Sequence, residues 1–131
     1  MAKVIRFFTS ALDVTRERPN PINPIPGESL LLWLIGKTQG TLAISAPEAE
    51  DWGWYCYADW KGGNYLLGAC ALEPTNDGKR EWLLQIDKFR STREKLLNQA
   101  RMSQDDECAD YFQHLIEREP EFQEVSIDPD R

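Results

Sequence analysis

The sequence predicts an α+β domain, in which a largely antiparallel sheet of four to six strands carries one N-terminal and two C-terminal helices. Three observations support this fold class. Strand-like segments joined by short turns fill the middle of the chain, which favours antiparallel pairing. Helical apolar patterns lie before and after these segments. The length of 131 residues suits a single domain, residues 1–131, whose core needs no disulfide or metal.

The N-terminal part predicts a strand, an extended loop, a helix and a short strand. Lys3 to Thr9 is rich in β-branched and aromatic residues and indicates the first strand. Four prolines between Arg18 and Gly27 fix φ and remove N–H donors, so this stretch is expected to form an ordered, extended loop. Gly27 to Thr38 predicts a well-buried helix, because its apolar residues cover more than one face. Thr41 to Ala46 predicts a short strand.

The central part predicts a hairpin and one further strand. The two arms of the hairpin, Trp54 to Trp60 and Asn64 to Leu72, flank a turn that contains two adjacent glycines. Arg80 to about Phe89 also alternates and predicts the next strand. Alternation on the first arm places Trp54, Cys56, Ala58 and Trp60 on one face and Tyr55, Tyr57 and Asp59 on the other.

The C-terminal part predicts two helices and a final short strand. Ser91 to Glu94 has the spacing of a capping box, and Ser103 to Asp106 offers a second helix start. Apolar residues from Cys108 to Ile116 recur at helical spacing, and Pro120 stops that helix. The apolar residues between Phe122 and Ile127 indicate an additional strand.

Charge and cysteine content narrow the functional classes. The formal net charge of −7 disfavours nucleic-acid binding, and it suits a protein that is steered toward a basic partner. The three cysteines are odd in number and widely spaced, which indicates free thiols in a reducing compartment. No apolar run approaches the roughly 20 residues of a membrane helix. The N-terminus lacks the features of a signal peptide, so a cytoplasmic location without a membrane partner is expected.

No motif predicts catalysis, a cofactor or a metal site. The patterns for dinucleotide, nucleotide-phosphate, zinc-protease and calcium sites are absent. His114 is the single histidine, and no nucleophile elbow accompanies it. Cys108 lies six residues before it, which on a helix places the two side chains on opposed faces. A binding protein is therefore favoured over an enzyme.

The strongest candidate for a binding surface is an acidic and aromatic segment in the middle of the chain. Its partner-binding residues are predicted to be Glu48, Glu50, Asp51, Trp52 and Trp54. Two tryptophans around a single glycine in an acidic loop cannot easily both be buried, so one is expected at the surface. Carboxylates around an exposed ring form a hot spot suited to arginine or lysine. The competing interpretation is a solvated loop that leads into a strand, with both tryptophans in the core.

Three functions are compatible with these features. The first is a non-catalytic protein-binding module, such as an acidic inhibitor of the immunity type that neutralises a basic partner. In size, charge and fold class the chain resembles the immunity proteins that neutralise bacterial toxins, although no motif carries this resemblance. The second is a small-ligand-binding protein or small hydrolase with an acidic and aromatic cleft. The third, an acidic mimic of nucleic acid, ranks last because Lys79 to Arg101 is basic. A homodimer is compatible with the sequence, but nothing selects it.

Overall fold

The computed structural model describes residues 2–89, 97 and 106–128. These residues form two α-helices, a short 3₁₀ helix and seven strands. The helices are α1 (Glu28–Lys37), α2 (Glu107–Glu117) and the 3₁₀ turn Val14–Arg16. The strands are β1 (Ala2–Thr9), β2 (Ala43–Ile44), β3 (Glu48–Glu50), β4 (Gly53–Trp60), β5 (Gly63–Ala71), β6 (Arg80–Lys88) and β7 (Gln123–Asp128).

All seven strands form one sheet, and their pairings are antiparallel. The strand order is β2–β4–β5–β6–β1–β7, and β3 pairs with a different part of β4. Pro47, which has no N–H to donate, lies between β2 and β3. Beside this break, the Tyr57 amide donates to the Ser45 hydroxyl at 2.8 Å instead of to a backbone carbonyl. The edge of the sheet beside β4 therefore consists of two short strands, β2 and β3, in place of one long strand.

The two helices pack on one face of the sheet, which we call the closed face. Alternate residues of the central strands point to this face and form one core with the apolar residues of α1 and α2. Trp82, Phe7 and Phe112 are among its largest fully buried side chains. Burial of side chains of this kind contributes about 1.5–3 kcal/mol each. We call the opposite side the open face, because neither α1 nor α2 packs on it.

Helix α1 is capped by a residue from the preceding loop. Its own N-cap residue, Gly27, has no side chain to cap it. The Glu17 carboxylate instead accepts hydrogen bonds from the Gly27 amide at 3.0 Å and from the Ser29 amide at 2.9 Å. The negative charge suits the positive end of the helix dipole. This cap fixes the start of the proline-rich loop against α1.

Helix α2 is tied to the sheet through its N-cap, Asp106. The buried Asp106 carboxylate accepts hydrogen bonds from the Ala109 amide at 3.0 Å and from the Tyr65 hydroxyl at 2.7 Å. Burial, and then the hydrogen bond with Asp106, raise the pKa of Tyr65 above its ordinary value. Neither helix in the described ranges is long and apolar enough to cross a membrane.

The predicted α+β class with a largely antiparallel sheet is confirmed, but the predicted numbers of elements were inexact. The sheet has seven strands rather than four to six. The additional strand is β3, whose sequence Glu-Ala-Glu has low β-propensity and which exists because β4 supplies its pairing. Of the two predicted C-terminal helices, α2 begins at Glu107. The helix predicted from Ser91 lies outside the described residues.

Candidate protein-binding surface

The acidic segment is a tight hairpin and not the loop that its composition suggested. Glu48 pairs with Tyr55 and Glu50 pairs with Gly53, so β3 and β4 are joined by a two-residue turn at Asp51 and Trp52. The Glu50 carboxylate accepts a hydrogen bond from the Asp51 amide at 2.9 Å. The short turn limits where Trp52 can point.

The proline-rich loop holds this hairpin in place. The Asn20 side-chain amide donates to the carbonyls of Glu50 and Gly53, both at 2.9 Å. The Asn23 side-chain amide donates to the Asp51 carbonyl at 2.9 Å. These bonds satisfy three carbonyls around the turn. Sequence reasoning missed both asparagines, although side-chain amides placed between prolines, which cannot donate, were an available signal.

Trp52 lies on the open face against Gly68 of β5. A Cβ atom placed on Gly68 would lie 2.6 Å from Cη2 of Trp52 and 2.9 Å from Cζ3, which is closer than real contacts allow. The ring therefore occupies the space that any side chain at position 68 would need. The tryptophan is nevertheless 40% exposed. The expectation that one of the two tryptophans reaches the surface thus describes Trp52.

Trp54 lies on the closed face and is only 3% exposed. The Arg18 guanidinium stacks over its ring, 5.1 Å from the centroid. The same guanidinium forms an ion pair with the buried Glu28 and donates to the Pro47 carbonyl at 2.9 Å. The structure therefore separates Trp54 from the other four predicted partner-binding residues. As a core residue, it cannot contribute a surface contact.

The open face carries three further aromatic side chains near Trp52, which contact one another in series. Tyr55 is the direct cross-strand neighbour of Gly68, where the Trp52 ring sits. The rings of Tyr55 and Tyr57 are 5.8 Å apart, and those of Tyr57 and Phe89 are 6.1 Å apart, both edge to face. We call these four residues, Trp52, Tyr55, Tyr57 and Phe89, the aromatic row.

Carboxylates give this part of the open face a negative potential. Glu48, the cross-strand neighbour of Tyr55 on the outer side, raises the pKa of the Tyr55 phenol, with smaller contributions from desolvation, Tyr57 and Glu50. Within the described residues, Glu48, Asp51 and Asp59 form no ion pair.

The basic side chain that the described strands place on the open face is already engaged in ion pairs. Arg6 is the basic side chain that the described strands direct to this face. Its Nε donates to Asp128 at 2.9 Å, and its Nη1 lies 3.5 Å from Glu81. The acids beside the aromatic row are therefore not neutralised by a neighbouring strand.

The cysteines and the histidine of the described residues do not form a nucleophile–base pair on α2. Burial raises the pKa of Cys56 and of Cys108 to about 12, so neither thiol is an available nucleophile at neutral pH. Cys108 is buried and His114 is exposed, so the two do not face each other on α2. In the described ranges, no cluster of three or more His, Cys, Asp and Glu side chains is arranged to hold a metal ion.

A small cavity lies under the proline-rich loop, on the Trp54 side. Its volume is about 210 Å³, and its lining includes Glu17, Arg18, Asn20 and Trp54. Ligand sites usually measure about 300–1,000 Å³. The cleft predicted to hold both tryptophans and the acids is not formed, because Trp52 and Trp54 lie on opposite faces of the sheet.

No protein-family model, curated protein or solved structure matches this chain. An assignment of function therefore depends on the chemistry of the surface itself. Sequence reasoning placed Tyr55 and Tyr57 together on one face but did not connect them with Trp52. That connection depends on Gly68, which lies in another strand, and local sequence patterns do not show it.

Proposed function

We propose that this protein is a non-catalytic binding module that recognises a basic protein partner through the open face around Trp52. The supporting observation is that the partly exposed Trp52 ring sits on Gly68 beside carboxylates that have no ion-pair partner in the described chain. The proposed binding residues are Glu48, Glu50, Asp51 and Trp52, with Tyr55 and Tyr57 added.

Three physical arguments favour binding at this surface. Large aromatic residues, tryptophan above all, supply a disproportionate share of binding energy at protein interfaces. A ring that is already fixed by packing loses little further conformational entropy on association. The surrounding negative charge would accelerate the encounter with a cationic partner. An inhibitor of a basic protein, in a cytoplasm where Cys56, Cys70 and Cys108 stay reduced, is the role that we propose.

Affinity capture followed by reconstitution would test this function. The immobilised protein is exposed to native lysate at low ionic strength, and each retained protein is then purified and titrated by calorimetry. We expect a basic protein that binds stoichiometrically and whose affinity falls as salt is raised. The double variant Glu48→Lys with Asp51→Lys should weaken that complex by about tenfold or more.

A matched charge change elsewhere provides the control. Glu117 and Glu121 are exposed at and after the end of α2, and the pair Glu117→Lys and Glu121→Lys, with the same total change in charge, should alter the affinity much less. A complex that resists both salt and the double substitution at Glu48 and Asp51 would show that another surface binds the partner. Failure to retain any basic protein would argue against the proposed function as a whole.

A small-ligand-binding function is the second candidate, and the cavity under the proline-rich loop favours it. Trp54 lines this cavity, and its indole N–H is buried without a hydrogen-bond partner in the described residues. The volume of about 210 Å³ limits any ligand to a small molecule. A thermal-shift screen of small metabolites tests this alternative, because a ligand that binds the folded state raises the melting temperature. Stabilisation that Trp54→Phe abolishes would favour it over protein binding.

A further inference from the structure

We propose that the surface beside Trp52 binds an arginine side chain of the partner, with the guanidinium stacked against the aromatic row and paired with Glu48. This inference rests on the proposed function and specifies the partner's chemistry. Three observations support it: the way Trp54 and Glu28 hold Arg18, the cross-strand neighbours of Tyr55, and the negative charge of the open face.

The chain already contains one such arrangement on the closed face. Arg18 stacks over Trp54 at 5.1 Å and forms an ion pair with Glu28. A tryptophan ring and a carboxylate thus together hold a guanidinium. Trp52 lies two residues before Trp54, has carboxylates nearby, and has no cation over its ring in the described residues.

The cross-strand register places the required groups side by side. Glu48, Tyr55 and Gly68 are consecutive neighbours across β3, β4 and β5, and the Trp52 ring covers Gly68. Adjacent strands are about 4.8 Å apart, so Glu48 and Gly68 are separated by roughly 10 Å. A guanidinium over Tyr55 would therefore lie between a carboxylate and an indole. Cation–π contacts operate within about 6 Å of a ring centroid, which this spacing permits.

The electrostatics select a cationic occupant and disfavour a second copy of this chain. Glu48 and Glu50 already act on the Tyr55 phenol strongly enough to raise its pKa. Two copies that met through this face would bring those acids together, which opposes association. Arginine suits the surface better than lysine, because its planar guanidinium can stack on a ring and pair with a carboxylate simultaneously, whereas the ammonium is a strongly hydrated point charge.

Two capped peptides, hexa-arginine and hexalysine, provide defined probes. Each is titrated into the ¹⁵N-labelled protein at low ionic strength, with affinity from calorimetry and location from NMR. We expect the arginine peptide to bind about fivefold more tightly than the lysine peptide. The perturbed signals should be the Trp52 indole N–H and the amides of Tyr55 and Gly68.

Variants then separate stacking from charge. Trp52→Ala should abolish the preference for arginine, and Trp52→Phe should retain part of it, because an aromatic ring remains. Glu48→Gln should weaken binding of both peptides and reduce the preference, since only the guanidinium is expected to combine pairing with stacking. Leu32→Ala, on the exposed side of α1, and Glu121→Gln are the matched controls and should leave both affinities unchanged.

Equal affinity for the two peptides, or perturbed signals away from the aromatic row, would overturn this inference. The absence of binding by either peptide would overturn it as well. The proposed function is tested separately. It would still hold, even without a preference for arginine, if a basic protein is captured and its affinity falls in the double variant Glu48→Lys with Asp51→Lys.

Discussion

Trp52 and Trp54 are separated by one glycine, yet they occupy opposite faces of the same sheet and have different surroundings. Trp54 is buried and covered by Arg18, whereas Trp52 is 40% exposed and, within the described residues, Glu48 and Asp51 beside it form no ion pair. Gly53 allows this arrangement, because its φ of +146° and its close approach to the Ala69 carbonyl, 2.3 Å from an added Cβ, exclude other residues. In the described part of the chain, Arg18 therefore supplies a cation to Trp54, whereas no cation lies over the ring of Trp52.

The largest expected contrast between the two rings is in stability. Trp54→Ala leaves a cavity in the core and should lower the free energy of unfolding by about 3–5 kcal/mol. Trp52→Ala removes a partly exposed ring from an open face and should cost about 1 kcal/mol. Urea unfolding of the two variants measures both values. Similar costs for the two substitutions would contradict the assignment of the rings to different environments.

Gly68→Ala tests whether the Trp52 ring packs on position 68, and it should cause the next largest loss of stability. The backbone of Gly68 lies outside the left-handed region, so the new methyl group conflicts with the indole ring and not with the backbone. Overpacking of this kind costs about 1–3 kcal/mol. In a Trp52→Ala background the same substitution should cost much less, and a double-mutant cycle measures that coupling. An equal cost in both backgrounds would show that the ring does not depend on position 68.

The sheet could be predicted largely from the sequence, because its central strands carry their own signals. Alternation from Trp54 to Trp60 and turn residues after both hairpin arms indicated β4, β5 and β6 within about two residues. Edge strand β2 lies within the short strand predicted from Thr41 to Ala46, but edge strand β3 could not be predicted in this way. β3 consists of two glutamates and an alanine, and its strand geometry depends on pairing with residues across the turn.

The candidate surface was predictable in composition but not in geometry. A cluster of acids and tryptophans in one segment indicated that a ring would be exposed, yet the sequence could not decide which one. The decision depends on Gly68 and Arg18, which lie in other parts of the chain and fix the two rings from opposite sides. Such long-range contacts leave no periodic trace in the sequence.

A substitution in the proline-rich loop that supports the Trp52 turn should lower the stability less than the core substitution does, and the change should be confined to the turn. Asn20→Ala removes the amide that donates to the carbonyls of Glu50 and Gly53, and should lower the free energy of unfolding by about 1–2 kcal/mol. Hydrogen exchange should increase at the β3–β4 turn more than along the rest of β4, because the Asn20 side chain bonds to the carbonyls at this turn and, through Oδ1, to the amides of Ile22 and Asn23 in its own loop. Asn76→Ala, in the exposed β5–β6 turn, is the control and should change neither quantity. If hydrogen exchange at the turn is unchanged in Asn20→Ala, the proline-rich loop does not help to position Trp52.

The smallest expected effect is a change in the pKa of Tyr55. It tests the electrostatics of the open face without changing the packing of its aromatic rings. Glu48 and its neighbours raise the pKa of Tyr55 above the ordinary value, because a phenolate beside a carboxylate is disfavoured. Glu48→Gln should therefore lower the pKa of Tyr55 toward the value of about 10 for a free tyrosine, with little change in stability. The ring resonance of Tyr55, followed by NMR from about pH 8 to 12, measures the shift. Glu121→Gln should leave it unchanged. If Glu48→Gln does not change this titration, Glu48 is not the acid that acts on Tyr55, and a bound guanidinium would have to pair with another carboxylate.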